Sequence, residues 1–372
     1  MKKIFKYAML FAMACSLTTA MTSCSSNDDD TPQTGQLSEG DKYLQKVLAA
    51  NVDNTINPTY KALADGCEKL NNELEALTPG SITQQQVDNV CKTFLEARAN
   101  YESSEAFLLG AASHFLIDPH IDSWPLGLNE LYNYLKADHK YKITDQSILG
   151  FHGIEFILFR DGKPRKAAEL NSHDSYNQAG IDFTIFSGTQ ELDYAKAVAE
   201  DLRNSVYRLE CSWDENANKE HVKVLDELET VYKTDKGFSY GYEMKNAGDP
   251  TKSTYNTVKL AVSSVLTGDN SAGGIADEVG NTKINNPFSG KDESYIESPY
   301  SYNSLTDFQN NIHSIENVWF GGVEGKRGEY SFHNYFKKYD AKVGQRVETA
   351  ISDALKQIAA IKYPFVKNIK DP

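Results

Sequence analysis

The residues best suited to chemistry in this chain are a histidine and a glutamate one helical turn apart. His152 and Glu155 stand in the run Gly150-Phe151-His152-Gly153-Ile154-Glu155-Phe156-Ile157-Leu158-Phe159, and on a helix positions i and i+3 share one face. An imidazole and a carboxylate from a single turn is how helical bundles present metal ligands to an interior site. Gly150 and Gly153 weaken a helix, but they admit another element, or an opening, beside the imidazole. Upstream, Glu102 and Glu105 repeat the i, i+3 spacing, and Asp118, His120 and Asp122 crowd into the few residues before Trp124 and Pro125. One imidazole among carboxylates suits a divalent or ferric ion, iron at least as well as zinc. His152, Glu155, Glu105 and Asp118 are therefore the metal-ligand candidates, with Asp122 and Gly150 as neighbours. The plainer role for Asp122 is to cap, with Ser123, a helix whose first turn holds Pro125.

The second half of the chain echoes this pattern. Asn311-Ile312-His313-Ser314-Ile315-Glu316 places His313 and Glu316 in a frame matching His152 and Glu155, each followed by apolar residues and a phenylalanine. Acidic, helix-compatible segments precede both copies, with Glu105 before the first and Glu278 before the second. His313, Glu316 and Glu278 are thus second-motif candidates. Ser304 and Asp307 read as a capping box for the helix bearing His313, a structural role.

The elements that must position these groups are helical. Leu44, Leu48, Val52, Ile56, Leu63, Leu70, Leu74 and Leu77 mark one long amphipathic stripe that Pro58 should kink or split. A second helix runs from about Thr83 towards Tyr101, another carries Leu192 to Leu209, and the longest runs from Phe332 to Ile358. The pattern predicts an all-α fold of two related helical bundles, an internal duplication, over residues 37–185 and 186–372. The bundles should pack with a cleft near their interface.

The chain has 372 residues, 40% hydrophobic and 24% charged, with a formal charge of −14. That composition supports real cores and excludes a disordered chain. The acidic balance argues against nucleic acid as a partner and suits attraction of cations. Met1 to Lys6 is basic, Tyr7 to Leu17 is apolar but too short to span a bilayer, and Ser23-Cys24 follows. Residues 1–23 read as a lipoprotein signal peptide, Cys24 as the lipidated residue, and 24–36 as a flexible tether. The expected location is the cell envelope, as an outer-membrane lipoprotein held to the membrane through Cys24. The acidic run Asp28 to Asp30 fits either surface export or a simple spacer. Cys67, Cys91 and Cys211 match no zinc spacing and read as buried thiols, with a Cys67–Cys91 disulfide left open.

The Gly-x-His-x-x-Glu run at Gly150, His152 and Glu155 resembles the signature of the imelysin family. The segments Tyr101 to Phe107, Asp118 to Pro125, Ile275 to Ile284 and Glu297 to Phe320 resemble further family blocks, in the family's order. The resemblance implies a two-domain helical fold with a cleft lined by the motif, export to the envelope, and an association with iron uptake or with metallopeptidase activity. The residues themselves favour binding over catalysis. His-Glu-x-x-His is absent, as is its inverse, and if Glu155 holds a metal then Glu105 would have to act as the base. The leading expectation is a protein that binds a metal ion or iron chelate and works with envelope uptake proteins. A zinc-type peptidase and a surface interaction module with a purely structural His-x-x-Glu are the alternatives.

Overall fold

The computed structural model describes residues 37–137 and 142–369; the signal peptide, tether and lipidated Cys24 expected from the sequence lie outside the described residues. The fold is all-α. The site is positioned by helices α1 (Glu39–Asn51), α2 (Asn57–Glu75), α3 (Gln84–Glu102), α4 (Gly150–Leu158), α5 (Gly188–Trp213), α6 (Ala272–Glu278), α7 (Ser304–Phe320), α8 (Phe332–Tyr339) and α9 (Ala341–Ala359). Short helices and loops join them. Two antiparallel ladders of two residues per strand, Phe159–Arg160 with Lys163–Pro164 and Asn177–Gln178 with Ile181–Asp182, trim the connection after α4. Among the described residues no helix is long and apolar enough to cross a membrane.

Capping chemistry sets several ends. Thr83 and Gln86 form a reciprocal capping box at the start of α3, and Ser187 and Gln190 form another at α5. The stripe expected to kink at Pro58 does so by a wide π-helical turn at Val52–Ile56, with Pro58 in the first turn of α2. Proline has no N–H for the carbonyl four residues back, and that orphan, the Asn54 oxygen, accepts instead from Val323 N at 2.9 Å. The helix expected as the longest is broken at Asp340, whose extended backbone ends α8 and whose side chain caps α9 through Val343 N.

Packing runs across the division expected at 185/186. Helix α5 lies against α2 and α4, while α1 lies against α8 and the short helices Tyr240–Lys245 and Val258–Thr267. Helix α7 in turn packs on both α9 and α3. The long stripes of α2 and α5 bury each other because their apolar faces match, wherever the sequence is divided in half. Helix α4 is buried on all sides. Phe151, Ile154, Phe156, Ile157 and Leu158 are each 0% exposed, and each contributes roughly 1.5–3 kcal/mol of burial. Cys67, Cys91 and Cys211 are buried free thiols, so no Cys67–Cys91 bridge forms.

Candidate metal site

The site is built around the first turn of α4. Gly150 opens that helix with φ +76°, a conformation side chains resist, and a Cβ there would sit 2.2 Å from the carbonyl of Ile121. The absent side chain lets the Ile117 to Asp122 segment press against the helix and delivers Asp122 to His152. Gly153 makes the same kind of room on the other side, where Tyr194 Oη donates to Ile148 O at 2.5 Å. The ring of Trp124 lies 4.4 Å from that of His152 and covers it.

His152 and Glu155 do share one face, and their roles differ. His152, 1% exposed, places Nδ1 3.2 Å from Glu155 Oε2. Glu155 Oε1 accepts from Tyr300 N at 3.1 Å, Ser301 N at 2.8 Å and Ser301 Oγ at 2.7 Å. Both Glu155 oxygens are thus engaged, one tying down the loop before α7 and the other fixing the imidazole. His152 Nε2 points the other way, 3.0 Å from Asp122 Oδ1 but misaligned for a hydrogen bond. Burial, and then the charge of Arg98, oppose protonation of His152. The adjacent carboxylate of Asp122 and the hydrogen bond to Glu155 outweigh them and raise its pKa to about 9.

Beyond Nε2 lies a nest of buried charge. Arg98, on α3, meets Glu102 at 2.6 Å, Glu297 at 2.8 Å and Asp307 at 3.8 Å, and also pairs with Asp122. Lys283, on the π-helical turn Val279–Ile284, meets Glu297 at 3.1 Å, Glu105 at 3.7 Å and Glu102 at 3.9 Å. Burial drives Glu102 and Glu105 well above the ordinary carboxylate range despite these cations, raises Asp118 and Glu278, and lifts Asp307 to about 6. Burial would raise Asp122 too, but Arg98 and His152 hold it well below that range. Carboxyl groups outnumber cations here, and the raised pKa of several means they hold protons that an incoming cation would displace. Asp118, Trp124, Glu278 and Tyr295 are only partly buried, and on their side the nest meets solvent.

The structure gathers most of the candidates drawn from the sequence and reassigns some. Glu105, Asp118, Asp122, His152 and Glu278 converge on the nest, with Asp118 accepting from the Tyr101 hydroxyl. Asp122 caps no following helix: the next one begins at Leu128 behind Gly127, and the Asp122 side chain pairs with Arg98 and His152 instead. Asp307 likewise makes no capping box. It accepts from Ser298 Oγ at 2.5 Å and Asn303 Nδ2 at 2.6 Å and faces Arg98. His120 turns away to Asp201. His313 and Glu316 pair with each other at 2.8 Å, but the His313 side chain is 48% exposed. The face of α7 that packs on α3 carries Asn311 and Ser314 instead, with Asn311 Nδ2 donating to Glu102 Oε2 and Ala106 N donating to Ser314 Oγ. The second motif therefore stands outside the nest. Arg98, Lys283 and Glu297 were missed. The i, i+4 spacing of Arg98 and Glu102 was a sign of pairing, but nothing local marked it as buried.

One ligand atom each from Asp122, His152 and Glu297 lie within 4.8 Å of one another, and Glu297 Oε2, like His152 Nε2, is buried without a hydrogen bond. This combination of one imidazole with carboxylates fits a hard-to-borderline metal ion. A fold of this kind, with this histidine–carboxylate centre, defines the class: residues 56–372 match the family model described as Imelysin, and the chain belongs to the imelysin family. Iron-regulated protein A of Synechococcus elongatus is 22% identical over 330 residues, which cover 88% of this chain and 78% of that protein. A crystal structure of a candidate iron-regulated protein A precursor from Parabacteroides distasonis is 27% identical with a TM-score of 0.73, over 91% of this chain and 90% of the other. An imelysin-like protein from Psychrobacter arcticum, 11% identical, shares the fold with a TM-score of 0.53 over 89% of this chain and 88% of its own.

Proposed function

We propose that this protein is a non-enzymatic metal-binding member of the family, held in the cell envelope through Cys24, whose histidine–carboxylate nest takes up iron as an ion or a small chelate. The observation that carries this reading is the buried Nε2 of His152, free of hydrogen bonds and 3.0 Å from Asp122, in a group whose third ligand atom comes from Glu297. His152 Nε2, Asp122 and Glu297 would hold the ion. Glu155 would orient the imidazole from behind, the usual arrangement for a ligating histidine. The names of the relatives from Synechococcus elongatus and Parabacteroides distasonis support iron as the cargo. A peptidase role is the weaker reading, because the carboxylates placed to act as a base are tied up. Glu155 accepts on both oxygens, and Glu105 faces Lys283.

The test is elemental analysis after dialysis against ferrous iron under anaerobic conditions, for the wild type and for His152→Ala. The reading expects about one bound ion per chain in the wild type and none in the variant, with both folded. Equal iron in the two proteins would remove His152 from the site, and none in either would end the metal reading.

A further inference from the structure

The two buried cations of the nest are held very differently. Arg98 spreads its guanidinium over Glu102, Asp122, Glu297 and Asp307, a planar fork fixed by several partners at once. Lys283 makes one hydrogen bond, to Glu297 Oε1 at 3.1 Å, and stands 3.7 and 3.9 Å from Glu105 and Glu102. An ammonium has three donors on a flexible four-carbon stem. It rises from a π-helical turn, a feature that recurs at functional sites, and it also feels the partly exposed carboxylate of Glu278 on the solvent side.

The place it fills has the form of a second cation site. Ligand atoms of Glu102, Glu105 and Asp122 come within 4.8 Å of one another, and Asp122 also belongs to the group formed with His152 and Glu297. Two of the carboxylates that face Lys283 each keep a buried oxygen without a hydrogen bond, Glu102 Oε1 and Glu297 Oε2. We infer that the Lys283 ammonium is a built-in occupant of a second cation subsite beside Glu102 and Glu105 and bordered by Asp122, and that it limits the nest to one metal ion. The inference rests on the metal-binding reading of the adjoining His152 subsite. A lysine there keeps the carboxylates compensated when no metal is present, which a purely apolar residue cannot do. Its flexible stem lets it retreat towards Glu278 as the neighbouring ion enters.

The test compares the wild type with Lys283→Met, which matches the stem without the charge, and Lys283→Arg, which restores a charge. Each is dialysed against ferrous iron anaerobically, assayed for bound iron, and melted with chelator or with the ion. The expected result is one ion for the wild type and Lys283→Arg but two for Lys283→Met. The methionine variant should melt lower than wild type in chelator and recover on adding iron. One ion in both the wild type and Lys283→Met, with melting indifferent to iron, overturns the inference and leaves the His152 reading intact. No ion in the wild type but one in Lys283→Met supports the second subsite while ending that reading. No iron in either overturns both. If Lys283→Met is unfolded in chelator, folding on addition of iron supports the inference, and remaining unfolded counts against it. Lys283→Gln provides a second neutral variant for the same comparison.

Discussion

Changing Glu155 to glutamine tests the division of labour around the imidazole, because one atom of the carboxylate changes and the other does not. In Glu155→Gln the new side chain would keep Oε1 as acceptor for Tyr300 N, Ser301 N and Ser301 Oγ. These three bonds would pass from charge-assisted to neutral, a loss of about 1 kcal/mol each and roughly 3 kcal/mol together. With unfolding entropies of about 2.1 cal/mol/K per residue, a chain of this size should melt roughly 4 °C lower. Glu155→Ala would orphan all the donors at once and cost about 6 kcal/mol. The chemical consequence of the glutamine is larger than its structural one. Its amide nitrogen replaces Oε2 beside His152 Nδ1, so it donates where the carboxylate accepted. The ring proton must then move to Nε2, the nitrogen assigned to the metal. Loss of such an orienting group typically lowers metal affinity 10–100-fold. The assay is iron affinity by competition with a chelator, with nitrogen NMR of the imidazole to report the tautomer. Wild-type affinity in a folded Glu155→Gln protein, with Nε2 still unprotonated in the metal-free ring above pH 9, would refute the argument.

Three further outcomes follow from the same geometry. Gly150→Ala combines a left-handed backbone with a Cβ 2.2 Å from Ile121 O. It should cost more than about 2 kcal/mol in urea unfolding and displace Asp122 from His152, lowering iron affinity as well; a neutral effect on both would mean the two segments are not held together there. Arg98→Met strands buried Glu102, Asp122, Glu297 and Asp307, and should lower stability by about 3–5 kcal/mol; a loss under about 1 kcal/mol would show that the carboxylates are compensated otherwise. His152, raised from 6.5 to about 9 in the fold, binds its proton more tightly folded than unfolded. Its contribution of about 3 kcal/mol is complete below pH 6.5 and is lost as pH rises through 9. Stability measured from about pH 6 to 9.5 should fall more steeply in the wild type than in His152→Gln, while iron affinity rises over the same range because the ion displaces a proton.

What could be read from the sequence was what depends on neighbours along the chain. Helical periodicity gave the all-α class, Thr83 marked the start of α3, and i, i+3 spacing put His152 and Glu155 on one face, where the structure has them. Glycines flanking a histidine announced that something would approach closely, and Ile121 and Tyr194 do. The identity of what approaches, and the use made of it, were settled only by packing. Asp122 and Asp307 look like caps because capping is local, yet each is claimed by Arg98, and Arg98 is joined to Glu297 by a hydrogen bond spanning 199 residues of sequence. His313 and Glu316 repeat the first motif in spacing but not in environment. The face of α7 buried against α3 is the one bearing Asn311 and Ser314, so the second pair is left towards solvent. A spacing fixes which residues share a helix face. Only the docking of one helix on another decides whether that face meets water or a buried nest of charge, and with it whether an imidazole serves as a ligand or as a surface partner.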